Sequence, residues 1–252
     1  ICTVRGDKIS VDRRGAIEGS GRWTHPHADP ANTLRSNGTA VGGKLTMLWY
    51  RDYSIPSANR WCRPPGPLAA GGILYQACTD GVIAVDAYNG TEIWRFDSKG
   101  LLSTQAGYNI VRTGGVYCLG DGVLYLRRKA HCLSLDARTG KLLRAFSIPD
   151  TKAHDFWGYL AYSDGVIYGT AADTSHSIIN PYPPTKPAAV NEGKTLFAIN
   201  AKTGRLLWQY EPKDHIGNNA VVIDGRNVYV IDRTTLWTTL ANYRKPNPAK
   251  PI

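Results

Sequence analysis

One phrase occurs three times in the chain, and it limits the possible folds more than any other feature. The copies begin at Val82, Cys132 and Leu196, and each reads as a strand, a glycine turn and a returning strand. The first strand of "VIAVDAYNG" alternates its side chains with the period of two that is typical of β-structure. The Asp- or Asn-x-x-x-Gly turn supplies residues that tolerate positive φ. The repeat therefore predicts β-hairpins and an all-β fold.

Each hairpin belongs to a larger unit. A glycine turn and a short apolar strand, such as "DGVLYLR", precede each copy, and a further strand is predicted upstream at 67–70, 109–113 and 158–162. Four-stranded units that recur at roughly 40 to 60 residues are typical of β-propeller blades. We therefore predict a β-propeller of four-stranded antiparallel blades.

The repeat also predicts how the chain is divided. Residues 1–21 form a lead-in, residues 22–240 form about four blades with the last incomplete, and residues 241–252 form a tail rich in proline and lysine. A proline-rich insertion at 173–193 is predicted to leave the third blade as a surface loop. The chain starts without an initiator Met or an apolar leader, so we expect a processed protein or part of a longer one. The ring is predicted to be incomplete, with further blades from the same gene product, a second chain or a symmetry mate.

Composition excludes several classes of function. The net charge is +10, but the basic residues are scattered and the densest cluster is only Arg127 to Lys129, so no specific nucleic-acid site is predicted. The chain has no run of 18 apolar residues, so no membrane span is predicted. Five cysteines without a CxxC pair do not support zinc-ribbon, thioredoxin-type or c-type haem sites. Cys118 and Cys132 form either a cross-strand disulfide or two buried thiols.

The repeat resembles a known family. An alanine, then Asp-x-x-x-Gly, then a tryptophan ten residues after the alanine is similar to the tryptophan-docking repeat of the quinoprotein dehydrogenase-like, or PQQ-like, β-propellers. Segments such as "WGYLAYSDGVIYGTAAD" resemble the PQQ-like repeat proteins of planctomycete-type bacteria. In the family the tryptophan stacks between its own alanine and the glycine turn of a neighbouring repeat. The docking residues that the resemblance implies are Ala84, Gly90, Trp94, Ala198, Gly204 and Trp208.

The middle copy departs from this pattern. It has Ser134 in place of the alanine and Arg144 in place of the tryptophan. We expect this blade to dock more weakly, or through stacking of the cation.

The resemblance raises the question of catalysis. A quinone dehydrogenase needs Ca²⁺ held by oxygen ligands, a carboxylate base and aromatic walls around the cofactor. The motif acids Asp86 and Asp136 lie in turns, where we expect them to cap the backbone, so no catalytic residue is predicted. Trp157, with His154, is the candidate for a ligand-facing position, because "HDFWGY" leads into an inner strand.

A metal site is the other alternative considered. His25 and His27 lie two residues apart ahead of Asp29, so both imidazoles would face one way on an extended segment. The segment matches the opening strand of the family, which has no metal role. No metal site is therefore predicted.

Three functions follow from these observations. The first is a non-catalytic scaffold that binds a protein partner or an extracellular ligand and has no cofactor, like the outer-membrane assembly lipoprotein with similar repeats. The alternative is part of a PQQ-dependent alcohol or sugar dehydrogenase, an oxidoreductase that carries PQQ with calcium. A further alternative is an accessory or sensor domain of a larger enzyme. The family resemblance implies a bacterial protein that is periplasmic or otherwise exported.

Overall fold

The computed structural model of the chain describes residues 2–11, 15–51, 65–78, 80–101, 115–151, 156–172, 177–179, 187–190, 192–213 and 215–233. The regular structure in these ranges consists of β-strands, which confirms the predicted all-β class. No described helix is long and apolar enough to cross a membrane.

The lead-in begins with a hairpin of β1 (Cys2–Arg5) and β2 (Lys8–Val11). Three four-stranded antiparallel sheets follow, which we call blades 1 to 3. Blade 1 contains β3 (Leu68–Ala70), β4 (Ile73–Cys78), β5 (Gly81–Asp86) and β6 (Glu92–Asp97). Blade 2 contains β7 (Tyr117–Gly120), β8 (Val123–Arg128), β9 (His131–Asp136) and β10 (Leu142–Ser147).

Blade 3 differs from the others because the insertion interrupts it. It contains β11 (Phe156–Ser163), β12 (Val166–Ala172), β16 (Thr195–Asn200) and β17 (Leu206–Tyr210). Between β12 and β16 lie a hairpin of β13 (Ser177–Ile179) and β14 (Pro187–Val190), and then β15 (Glu192–Gly193). The fourth sheet, blade 4, joins β15 to β18 (His215–Asp224) and β19 (Asn227–Arg233).

These bounds bear on two predictions about strands. The insertion at 173–193 is not only a loop, since it contains a hairpin and then adds β15 to blade 4. Pro187 is compatible with this arrangement because it begins β14, where proline is tolerated. The first strand of blade 2 is Tyr117–Gly120, and the predicted strand at 109–113 lies outside the described residues. The tail at 241–252 also lies outside them.

The hydrophobic core lies between the sheets. One buried cluster joins blade 1 to blade 2 and includes Tyr75, Trp94 and Leu135. A second cluster joins blades 2 and 3, and a third joins blades 3 and 4. Each four-stranded sheet therefore packs face to face on the next one in sequence order. This arrangement confirms the predicted propeller, and the described blades form an incomplete ring.

Candidate functional site

The docking contact between blades 1 and 2 is made by Trp94. This residue lies opposite Ala84 in the β5–β6 pairing and is only 8% exposed. Its indole lies on Gly140, where an added Cβ would come within 2.6 Å of the ring, and Gly140 has a φ of +72°. The indole N–H donates to the Ala137 carbonyl at 2.9 Å. One side chain thus fills the space over the neighbouring glycine turn and also satisfies a carbonyl of that turn.

Trp49 makes the same contact on the preceding glycine turn, that of blade 1, and it was not among the predicted docking residues. Its ring lies on Gly90, 2.6 Å from where a Cβ would be, and its N–H donates to the Ala87 carbonyl at 3.0 Å. Arg51 adds a hydrogen bond to the Gly90 carbonyl at 2.8 Å and an ion pair with Glu92 at 2.7 Å. The signal was present in "LTMLWYRD", since a tryptophan there precedes the first glycine turn as Trp94 precedes the second.

Arg144 replaces the indole between blades 2 and 3. Its guanidinium lies on Gly204 and donates to the carbonyls of Lys202 at 2.7 Å and Thr203 at 2.9 Å. The guanidinium carbon also lies 5.2 Å from the centre of the Phe146 ring. A planar, charged fork therefore occupies the docking position, with two hydrogen bonds where the indole makes one.

Trp208 has the equivalent position in blade 3 but a different environment. It lies opposite Ala198 in the β16–β17 pairing and its ring is 6.1 Å from that of Tyr168. It is 36% exposed, and among the described glycines none lies against its ring. Its neighbours on β17 are also exposed: Leu206, Leu207 and Tyr210.

The acids of the repeat stabilise their own turns. The Asp136 Oδ1 accepts hydrogen bonds from the Arg138 amide at 3.0 Å and the Thr139 amide at 2.8 Å. The Thr139 hydroxyl also donates to it, and this bond lowers the pKa of Asp136 more than any other interaction. Asp86 and Asn200 cap their turns through Oδ1 in the same way. The carboxylates of the motif therefore serve the backbone.

His25 is buried and holds blade 3. Its Nε2 accepts the Tyr162 amide at 3.1 Å, so the proton of the neutral ring lies on Nδ1 and is donated to the Thr24 hydroxyl at 2.8 Å. Burial lowers the pKa of His25 to about 4, although the Asp29 carboxylate opposes this shift. Both ring nitrogens are therefore engaged within the protein.

The other two residues of the considered metal group do not complete a ligand set with His25. The Asp29 carboxylate accepts hydrogen bonds from the amide and the hydroxyl of Thr33, and His27 is half-buried. Within the described residues, no group of three His, Cys, Asp or Glu side chains is placed to share a metal ion.

Trp157 does not line a channel, which corrects the prediction of a ligand-facing position. It is 2% exposed, and its ring meets Phe197 edge-on at 4.9 Å between centroids. Gly169 also packs against the indole, since a Cβ added there would lie 2.6 Å from the indole nitrogen. Trp157 therefore has no open face for a planar cofactor. His154 lies outside the described residues.

Arg127 is a buried arginine next to Trp157, and its burial was not predicted from the sequence. The Arg127 side chain donates to the main-chain carbonyls of Trp157, at 3.1 Å, and Gly158. Burial lowers the pKa of Arg127 to about 10. Arg127 belongs to the densest basic cluster of the sequence, Arg127 to Lys129, but its side chain is buried.

A cavity of about 700 Å³ lies between blades 1 and 2 and the segment 15–24. Its lining includes the glycine-rich turns at 70–73 and 119–122. This volume falls within the range of small-molecule sites. Charges of both signs line it: Arg22, Arg138, Asp86 and Asp121. Of these groups, the Asp86 Oδ1 already accepts a hydrogen bond from the Tyr88 amide of its own turn.

Four-stranded antiparallel blades that pack face to face in sequence order define a quinoprotein-like β-propeller. The chain belongs to the family described as outer membrane protein assembly factor BamB, whose pattern matches residues 79–240. The expected PQQ-like family is thereby confirmed.

Individual relatives are more distant. Polyvinylalcohol dehydrogenase of Sphingopyxis sp. (strain 113P3) is 26% identical over 175 residues, which is 67% of this chain and 25% of the relative. A europium-containing methanol dehydrogenase structure has a TM-score of 0.50 at 17% identity, over 76% of this chain and 32% of that one. BamB from Moraxella catarrhalis has a TM-score of 0.35 at 15% identity, over 66% and 54%. The chain thus spans about a quarter of the curated relative, and the methanol dehydrogenase shares its fold.

Proposed function

We propose that the chain is a non-catalytic PQQ-like propeller scaffold that binds a protein partner. The observation that carries this proposal is how the chain uses its chemically capable side chains. The motif acid Asp136 caps a turn, His25 accepts a backbone amide, and Trp157 is packed inside the fold. Side chains committed to backbone contacts are costly to redirect toward a substrate, because each would leave a buried or turn amide without its acceptor.

The family supports the same proposal. Its description refers to assembly of outer membrane proteins, a role that depends on contacts between proteins. A rigid ring of blades presents its loops on a fixed frame, which suits recognition of a partner. We also propose that the protein acts outside the cytoplasm, in the periplasm, since the family is named for a process at the outer membrane.

Part of a PQQ-dependent alcohol dehydrogenase is the second candidate. The similarity to polyvinylalcohol dehydrogenase favours it, as that relative is named for the oxidation of an alcohol. Under this alternative, the chain would supply part of a site in which oxygen ligands hold calcium and aromatic side chains hold PQQ.

Cofactor binding separates the two candidates. The full gene product should be incubated with PQQ and CaCl₂, desalted, and analysed by absorbance and elemental analysis, with a quinoprotein dehydrogenase as positive control. We expect neither stoichiometric PQQ nor dye reduction with ethanol or a polymeric alcohol. Retention of one PQQ per chain together with alcohol-dependent dye reduction would overturn the scaffold proposal in favour of the second candidate.

Partner binding needs a direct test. A photoreactive amino acid placed at exposed Tyr229 on β19 and, as a matched comparison, at exposed Met47 samples two separate surfaces. A scaffold should give one discrete crosslinked protein from at least one of the two positions in living cells. Export can be tested by fusing the full gene to alkaline phosphatase, which is active only outside the cytoplasm. Absence of discrete crosslinks and an inactive fusion would contradict the proposal.

A further inference from the structure

One short segment contacts all four described blades. Residues 23–32, which we call the strap, run across β3, β7 and β11, the first strands of blades 1 to 3, and across β18, the central strand of blade 4. In each sheet one backbone amide of that strand donates to the strap. The four bonds are Ala69 N to Trp23 O at 2.9 Å, Leu119 N to Thr24 O at 2.8 Å, Tyr162 N to His25 Nε2 at 3.1 Å, and Ile223 N to Pro30 O at 2.9 Å.

The four amides occupy the same position in their blades. Each belongs to a residue that pairs with the residue five places later on the strand that follows: Ala69 with Leu74, Leu119 with Leu124, Tyr162 with Ile167, and Ile223 with Val228. At this point of an antiparallel ladder the amide points away from that following strand, toward the opposite side of its own strand. A buried amide in this position needs an acceptor from elsewhere. The strap supplies one to every blade.

The acceptors follow the order of the blades. Blades 1, 2 and 3 are served by the consecutive residues Trp23, Thr24 and His25, and blade 4 is served by Pro30. The longer step before Pro30 contains a tight turn, in which Ala28 has a φ of +81°. An order of this kind matches one continuous segment laid across four neighbouring strands.

The turn explains why blade 3 is held by a side chain. The His25 carbonyl accepts the Ala28 amide at 3.1 Å and is therefore used within the turn. The neutral imidazole takes its place and accepts the Tyr162 amide. Beyond the turn, the Asn32 side chain donates to the Val221 carbonyl at 3.1 Å, which fixes the far end of the strap on β18.

We propose that the strap couples the four blades at their inner edges into one cooperative unit, and that His25 is its latch to blade 3. Docking residues connect only neighbouring blades, whereas the strap connects blade 1 with blade 4. Its contacts also block these edges against pairing with foreign strands. Loss of the His25 link should therefore loosen contacts in other blades.

Amide hydrogen exchange measured by NMR on the whole chain tests the coupling. In His25→Ala the Tyr162 amide loses its acceptor, and we expect it to exchange about tenfold faster or more. If the strap couples the blades, the amides of Leu119 and Ile223 accelerate to a similar extent. Faster exchange at Tyr162 alone, or at none of these amides, would overturn the proposal.

Two control variants keep the test specific. Glutamine can place an acceptor where the His25 Nε2 lies, so His25→Gln should retain protection of all three amides. His27→Ala changes a histidine in the same segment that makes none of the four bonds and should have no effect. If His25→Ala does not fold, His25→Asn replaces it in the exchange measurement. The Asn side chain is too short to reach the Tyr162 amide, so the same acceleration is expected. Equal exchange in the Gln and Asn variants would also overturn the proposal.

Discussion

Replacement of Trp94 by alanine tests the docking geometry most directly. The side chain is 8% exposed and lies on Gly140, so its removal opens a gap between two blades. A tryptophan buries about 200 Å², and at about 25 cal/mol per Å² the lost transfer free energy is about 5 kcal/mol. Partial collapse of the gap recovers some of this, while loss of the hydrogen bond to Ala137 adds about 1 kcal/mol. We expect Trp94→Ala to lower the free energy of unfolding by about 4 kcal/mol.

Trp208 is the internal control because it has the same position in the repeat. It is 36% exposed and no described glycine turn lies on it, so Trp208→Ala should cost only about 1 to 2 kcal/mol. Both variants of this chain should be unfolded in urea and followed by circular dichroism, with the slope of the transition compared to establish two-state behaviour. Equal losses in the two variants would refute docking on the next glycine turn as the source of the energy.

Three further predictions follow from individual contacts. Arg144→Ala should cost about 2 kcal/mol, and Arg144→Lys nearly as much because lysine lacks the planar fork; a lysine variant as stable as wild type in urea would contradict this. Gly140→Ala should cost about 3 kcal/mol or more, since its φ is +72° and its Cβ would meet Trp94 at 2.6 Å; an unchanged melting temperature would count against it. The pKa of His25 is about 4 in the folded protein, against an ordinary value of 6.5. As the pH falls, the unfolded chain therefore takes up the proton before the folded protein does. The contribution of neutral His25 to stability should be complete above pH 6.5 and should decrease as the pH falls from 6.5 to 4. His25→Gln should lack this part of the slope, whereas an identical pH profile in urea unfolding would contradict the assignment; carboxyl groups near the ring, such as Asp29, are common to both proteins.

The fold could be predicted because the repeat is local. Strand alternation, the glycine turns and the spacing of the copies all lie within single hairpins, and the three sheets formed as the pattern indicates. The insertion was harder, because prolines argue against a central strand but not against a short hairpin outside the blade. Residues 177–190 contain such a hairpin.

The site was less accessible from sequence. Trp157 was expected to face a ligand, but nearly all of β11 is buried on both faces, and alternation then gives no sign of which face is open. Stacking of the Arg144 cation was expected, but its hydrogen bonds to two carbonyls were not, because those carbonyls belong to a turn in the next blade. The strap could not be predicted from the sequence, because three of its four acceptors are main-chain carbonyls, which every residue has.

The two kinds of contact between blades differ in when they can form during synthesis. A docking residue can form its hydrogen bonds once the chain has grown by a further 38 to 59 residues, which takes about 2 to 12 seconds at about 5 to 20 residues per second. The strap is made early, yet its Asn32 must wait for Val221, 189 residues later, or about 10 to 40 seconds. Blades can therefore stack one by one on a nascent chain, and the strap can bind each of them only after the corresponding strand has been made. Each open edge is accessible to a chaperone or a misplaced strand until its own strap contact forms, which is soonest for blade 1 and latest for blade 4.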